Sequence, residues 1–216
     1  VGAPDAKSIY QVPIFLEEQG LTDYLLGRMN IQSKPDGLGE WKKFLNKVME
    51  PKHEVKILLV GKYMDQRDSY MSHYEAFTHA GAELETRVKF LRMEAEEIDR
   101  EASRALLEET DGILIPGGFG SSGIEGKIEA IKFARENKVP FLGVCLGFQL
   151  ANVEFARNVL GMGDANSTEF DPHTAHPVVD ILPEQKNVTK KGATMRLGAQ
   201  EVLVEKGSTA ERLYGA

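Results

Sequence analysis

From Val55 onward, short apolar runs alternate with stretches of helical periodicity, and this alternation limits the fold more than any other feature of the chain. Lys56 to Tyr63 reads as a buried strand and Asp68 to Ala80 as a helix. Arg87 to Met93 is a second strand, followed by an acidic helix from about Ala95 to Glu109. Gly112 to Pro116, Ile124 to Glu136, Val139 to Val144 and Leu146 to Leu160 continue as strand, helix, strand, helix. In the last helix Leu150, Val153, Ala156 and Leu160 recur at three-to-four spacing and predict the face turned to the sheet. Four β-α units in a row define an α/β fold with a doubly wound, mostly parallel, flavodoxin-like sheet, right-handed crossovers and flanking helices. Such sheets bind ligands beyond the carboxyl ends of their strands.

The flanks follow a different pattern. Residues 1–31 hold a short piece, Ser8-Ile-Tyr-Gln-Val-Pro, and one amphipathic helix from Ile14 to Met29, too little to fold alone and therefore expected to close a larger domain. Residues 32–54 read as a linker around a helix containing Trp41, and residues 55–216 as the main domain, with loops and short strands after Gly161. A formal charge of −7 over 216 residues argues against a polyanion-binding face, so no nucleic-acid partner is expected. No apolar run approaches the ~20 residues that cross a bilayer, so no membrane partner is expected either. The N-terminus lacks a signal-peptide layout, and the single Cys145 has no partner for an internal disulfide. A soluble, cytoplasmic protein fits these features.

Cys145 lies in Gly143-Val-Cys-Leu-Gly, where the fourth strand gives way to its helix. A lone cysteine is ordinarily a small buried core residue. Here strand, turn, glycines and helix together make the cysteine version of a G-x-S-x-G nucleophile elbow, and the helix N-terminus beneath favours negative charge on the sulfur. The neighbouring strand ends in Pro116-Gly-Gly-Phe-Gly-Ser-Ser-Gly. Gly118 to Gly123 spells G-x-G-x-x-G, but the next strand ends in a thiol instead of the acidic residue that would hold a ribose. A Walker A match also fails, because Gly126-Lys127 is followed by Ile128 and its spacing from Gly120 is too long. An oxyanion hole of backbone N–H groups remains, against the simpler alternative of an ordinary tight turn. A cysteine nucleophile needs a base. His53, His73, His79, His173 and His176 are the candidates, none convincing, and no cluster has metal-ligand spacing.

Pro-Gly-Gly-Phe-Gly (116–120), Gly-Val-Cys-Leu-Gly-Phe-Gln (143–149), Ala-Asn-Ser-Thr-Glu-Phe (165–170) and Ala-Thr-Met-Arg-Leu-Gly (193–198) resemble, in order, the glutaminase domain of the CTP synthase family, within the class I glutamine amidotransferases. The first two motifs are common to the class and the last two are specific to that family. Ser8 to Pro13 and Leu16-Glu-Glu-Gln-Gly resemble the end of its synthetase domain.

The resemblance implies that Cys145 attacks the glutamine amide to form a glutamyl thioester and release ammonia. The backbones of Gly117, Gly118, Phe119 and Leu146 would hold the oxyanion. Gly118, Phe119, Leu146, Gly147, Phe148, Gln149, Glu169 and Arg196 would line the glutamine site, with Glu169 suited to the ammonium and Arg196 to the carboxylate. It implies no cofactor or metal in this chain. ATP and magnesium belong to the synthetase domain, where UTP would be aminated to CTP, and that domain makes the family tetrameric, so a monomer is expected for this piece. The family's His-x-Glu lies downstream of the Arg-Leu-Gly segment and the chain ends before it, so these residues alone are expected to turn glutamine over poorly. Ser122 stands where the family usually has the arginine of a lid linked to GTP activation, which puts a GTP response in question. A catalytically silent regulatory or scaffold homologue, or another class I amidotransferase, is the alternative.

Overall fold

Four strands assemble into one all-parallel sheet in the order β2-β1-β3-β4: β1 (His53–Gly61), β2 (Thr86–Glu94), β3 (Gly112–Ile115) and β4 (Phe141–Gly143). The computed structural model describes residues 1–2, 4–32, 37–185, 199 and 201–215. They fall into two compact units, Val1–Val179 and Asp180–Ala216. In the first unit the helices are α1 (Val12–Glu18), α2 (Leu21–Met29), α3 (Gly39–Met49), α4 (Met71–Glu83), α5 (Glu101–Glu109), α6 (Ile124–Asn137) and α7 (Leu146–Asn158).

Strand parity sorts the core onto two faces. Leu58, Val60, Ile113 and Ile115 point to the side covered by α6 and α7, where Ile128, Ile131, Leu146, Leu150 and Val153 pack against them. Ile57, Leu59 and Leu114 point the other way, onto Tyr74 and Phe77 of α4 and Phe90 of β2. Because both faces are covered, the central strands are continuous apolar runs with no alternation, and each fully buried Leu or Ile contributes about 1.5–3 kcal/mol. The chain leaves β1 outward to β2 and then returns to the opposite side as β3, so the strand order reverses between β1 and β3.

Several expected elements are shorter or broken. The single helix expected over Ile14–Met29 is two, because Gly20 sits in the left-handed region at φ 74° and interrupts the ladder. The helix expected from Asp68 begins at Met71 behind a 3₁₀ turn, Arg67–Tyr70. The acidic helix is a 3₁₀ turn, Ala95–Glu97, and then α5, separated by an extended Arg100. α7 stops at Asn158, and Leu160 is 58% exposed instead of facing the sheet. Its N–H donates back to the Phe155 carbonyl at 3.2 Å, a six-to-one closure, and Gly161 follows at φ 73°.

The N-terminal helices are pinned by one aromatic residue. Tyr10 is buried with Ile14 and with Leu45 of α3, and its carbonyl accepts the Trp41 Nε1–H at 2.8 Å. Its hydroxyl donates to Glu75 and lies 2.8 Å from His79 Nε2, both on α4. Burial, then the Glu75 carboxylate, raise the Tyr10 pKa. In the second unit, Ser208 caps α8 (Thr209–Tyr214) by accepting the Glu211 N–H at 3.1 Å. Among the described residues no helix is long and apolar enough to cross a membrane.

Candidate active site

The β4–α7 junction is an elbow imposed by packing. Cys145 caps α7 at φ 52° and ψ −104°, a backbone conformation that side chains other than glycine rarely adopt. The glycines on either side permit it. A Cβ on Gly143 would come within 2.5 Å of the Gly147 carbonyl carbon, and one on Gly147 within 2.2 Å of the Ile115 oxygen. The Val144 N–H donates to that same Ile115 oxygen at 2.9 Å, fastening the elbow to the end of β3. The result is a thiol held on a sharp turn and exposed to solvent.

The glycine-rich end of β3 lies against it. A Cβ on Gly117 would sit 3.4 Å from the Cys145 Cβ, and one on Gly118 would sit 3.5 Å from Leu146 Cδ2. The Gly117 and Gly118 N–H groups make no hydrogen bond among the described residues. Leu146 opens α7, where N–H groups lack intrahelical acceptors. The backbones of Gly117 and Gly118 thus lie beside the elbow that carries Cys145 and Leu146. Phe119 and Phe148 stand 44% and 64% exposed at the rim. Gln149 is half-buried on the first turn of α7, its N–H bonded to the Cys145 carbonyl at 3.0 Å.

Glu169 is brought to the same turn from far along the chain. β5 (Asn166–Ser167) pairs with β6 (Pro177–Val179), and the Thr168 N–H donates to the Val179 carbonyl at 3.0 Å. The buried Ser167 hydroxyl accepts the Glu169 N–H at 3.2 Å, and the Glu169 carboxylate accepts the Gly120 N–H at 3.4 Å. Ser122, two residues on, donates to Glu96. Of the sequence-derived site, the structure therefore gathers Gly117, Gly118, Cys145, Leu146 and, through Gly120, Glu169. Arg196, with the rest of the 193–198 motif, lies outside the described residues.

No histidine bonds to Cys145 among the described residues. His53 starts β1, at the amino end of the sheet, opposite the thiol. His79 is engaged with Tyr10, and His176 Nδ1 lies 2.5 Å from Asp164, whose carboxyl it holds below the usual range. His73, on α4, has its pKa lowered by burial. No group of three metal-ligating side chains occurs among the described residues. The sequence motifs gave no prominence to one functional candidate, Lys127, which is buried on α6 with its pKa lowered to about 8 by burial and then by Lys62. Its signal was legible: Lys127 shares the apolar stripe of Ile124, Ile128 and Ile131, where a charge is out of place.

A doubly wound parallel sheet carrying an exposed cysteine on a strand-to-helix elbow beside a glycine-rich turn is the layout of an α/β enzyme of the nucleophile-elbow class. The sequence model described as "Glutamine amidotransferase class-I" matches residues 66–214, and the chain belongs to that family. Its relatives include the CTP synthases of Caldanaerobacter subterraneus subsp. tengcongensis, 50% identical over 210 residues covering 97% of this chain and 39% of the relative, and of Methanocaldococcus jannaschii, 48% identical over 221 residues covering 100% and 41%. The chain therefore spans about two fifths of the length of these relatives. A solved structure, the glutaminase domain of Trypanosoma brucei CTPS with bound acivicin, is 41% identical with a TM-score of 0.65, covering 74% of this chain and 62% of that one.

Proposed function

We propose that this chain is the glutaminase part of a CTP synthase. Glutamine's side-chain amide enters beside Cys145, the sulfur attacks its carbonyl carbon, and the oxyanion is received by the N–H groups of Gly117, Gly118 and Leu146. With the thiol's proton delivered to the leaving nitrogen, collapse of that intermediate expels ammonia and leaves a glutamyl thioester, which water hydrolyses to glutamate. Glu169 faces the substrate ammonium and Arg196 its carboxylate, while Phe119, Gly147, Phe148 and Gln149 shape the walls. The ammonia is consumed in a synthetase domain that uses ATP and magnesium to aminate UTP to CTP. In that reading the whole enzyme is cytoplasmic and tetrameric through the synthetase domain, and these residues alone are monomeric.

The observation that carries the proposal is Cys145 at φ 52° with Gly117 so close that a Cβ on it would lie 3.4 Å from the Cys145 Cβ. The near 50% identity to CTP synthases over almost the whole chain supports the particular substrate. Because no described histidine reaches the thiol, we propose further that the 216 residues by themselves turn glutamine over poorly. Acivicin, seen bound to the trypanosomal domain, tests recognition directly. The expected result is a single adduct on Cys145 by mass spectrometry, suppressed by excess glutamine. Reaction of Cys145 with iodoacetamide but not with acivicin refutes a glutamine site. Steady glutaminase turnover by the purified chain refutes the second claim.

A further inference from the structure

Glu169 meets the Gly120 N–H across 49 positions of sequence, at the end of an arm whose only strand, β5, is two residues long. So short a strand gives little rigidity of its own. The arm is anchored by Arg157, in the last turn of α7. Its Nε–H donates to the Ala165 carbonyl at 2.6 Å, on the residue immediately before β5. Ala165 is completely buried, where a carbonyl without a donor is costly. The same guanidinium reaches the other way: its NH1 donates to both Glu125 carboxylate oxygens, at 3.0 and 2.8 Å. Glu125 lies in the first turn of α6, two residues after Gly123 closes the glycine-rich turn.

Residues 120–125 and 165–169 are therefore tied together twice. Glu169 and the Gly120 N–H make one tie, and Arg157, between Glu125 and Ala165, makes the other. Arg157 lies about three helical turns along the helix that Cys145 caps, and Leu150, Val153 and Ala156 bury that helix in the core. It thus relates the position of the carboxylate to the position of the sulfur. A planar guanidinium with donors on separate nitrogens can serve a carbonyl and a carboxylate at once, which a single ammonium does poorly. The Arg157 side chain is 16% exposed and that of Glu125 is 71% exposed. The exposed ion pair is worth little by itself, so the buried carbonyl is the contact that matters.

We propose that Arg157 is a positioning residue for the glutamine site: through the Ala165 carbonyl it fixes the arm that carries Glu169, and so sets substrate affinity without altering the reactivity of the thiol. The inference rests on the glutaminase reading. Acivicin labelling of Cys145 in the full chain is followed by mass spectrometry over a concentration series, which gives a half-saturating concentration and a maximal rate. Iodoacetamide measures the bare thiol in parallel. Arg157→Met keeps the stem and removes the donors, and should raise the half-saturating concentration about fivefold with the maximal rate and the iodoacetamide rate unchanged. Arg157→Lys restores one donor and should reduce that shift to about twofold. In a Glu169→Gln background, Arg157→Met should add less than about twofold, because its effect passes through that carboxylate. Equal slowing of both reagents, or a shift that persists undiminished in the Glu169→Gln background, makes Arg157 merely structural and overturns the proposal. Half-saturation at the wild-type concentration in Arg157→Met overturns it too. Should Arg157→Met fail to fold, the same comparisons on Arg157→Lys decide. No acivicin adduct on the wild-type chain refutes the glutaminase reading and this inference with it, whereas a wild-type adduct with no shift in the variants refutes the inference alone.

Discussion

Two crevices open at the carboxyl end of the same sheet, sharing the Gly117–Gly118 turn but differing in what else lines them. The one beside Cys145 is built by leaving side chains out: Gly117, Gly118, Gly143 and Gly147 bring the backbone close, and the thiol is exposed. The one between β1 and β3 shares Gly117 and Gly118 but also brings side chains in, with Lys127 buried and Lys62 in its lining. Backbone N–H groups carry only partial charge, so they sit idle without penalty and meet a charge that appears during a reaction. An ammonium carries a full charge while protonated, and its burial is costly enough to lower the Lys127 pKa to about 8. One sheet edge therefore presents bare backbone at one opening and a buried lysine at another.

The contrast breaks most visibly at the sulfur. Cys145→Ser should reduce acivicin labelling by at least about a thousandfold, as read by mass spectrometry. Gly147→Ala comes next. Its Cβ would lie 2.2 Å from the Ile115 oxygen, so urea unfolding should show a loss of about 3 kcal/mol or more, with labelling lost as well. Glu169→Gln removes a charge from the thiol side alone. Labelling by acivicin should slow about tenfold with iodoacetamide alkylation unchanged, and equal slowing of both reagents would make Glu169 merely structural.

The smallest effect belongs to the lysine crevice and depends on pH. In the folded chain Lys127 has its pKa lowered from 10.5 to about 8, so between those values the unfolded state binds more protons. Stability gains from this group as pH rises through that window, and the penalty is fully in force below about 8. Lys127→Met lacks the gain. The stability of wild type relative to the variant should therefore increase from pH 8 to about 9.5 in urea titrations, and a flat difference would mean that Lys127 titrates normally.

The alternating runs foretell the sheet because fully buried parallel strands leave an unmistakable signature, as in Ile57 to Val60. Helix ends are less legible. Gly20 and Gly161 could have been read as stops, but the apolar spacing continues across both, and only backbone geometry reveals that Leu160 turns outward. The elbow was legible since its glycines are local to the cysteine. Glu169's approach was not legible from spacing, because a carboxylate some fifty residues after Gly120 reaches it only through the β5–β6 pairing. Lys127 escaped because a motif search asks which residues follow a glycine, and its meaning lies in the isoleucines three and four positions away.

The elbow also sets a contest between persistence and reactivity. Holding a non-glycine residue at φ 52° costs about 1–3 kcal/mol, a strain that the fold bears whether or not any chemistry occurs. Glycine at position 145 would relieve it, so the more stable molecule is the one without a nucleophile. A descendant released from the need for the thiol has a stabilising route open at this residue. On the proposed function, that strain is the cost of holding a thiol at the elbow.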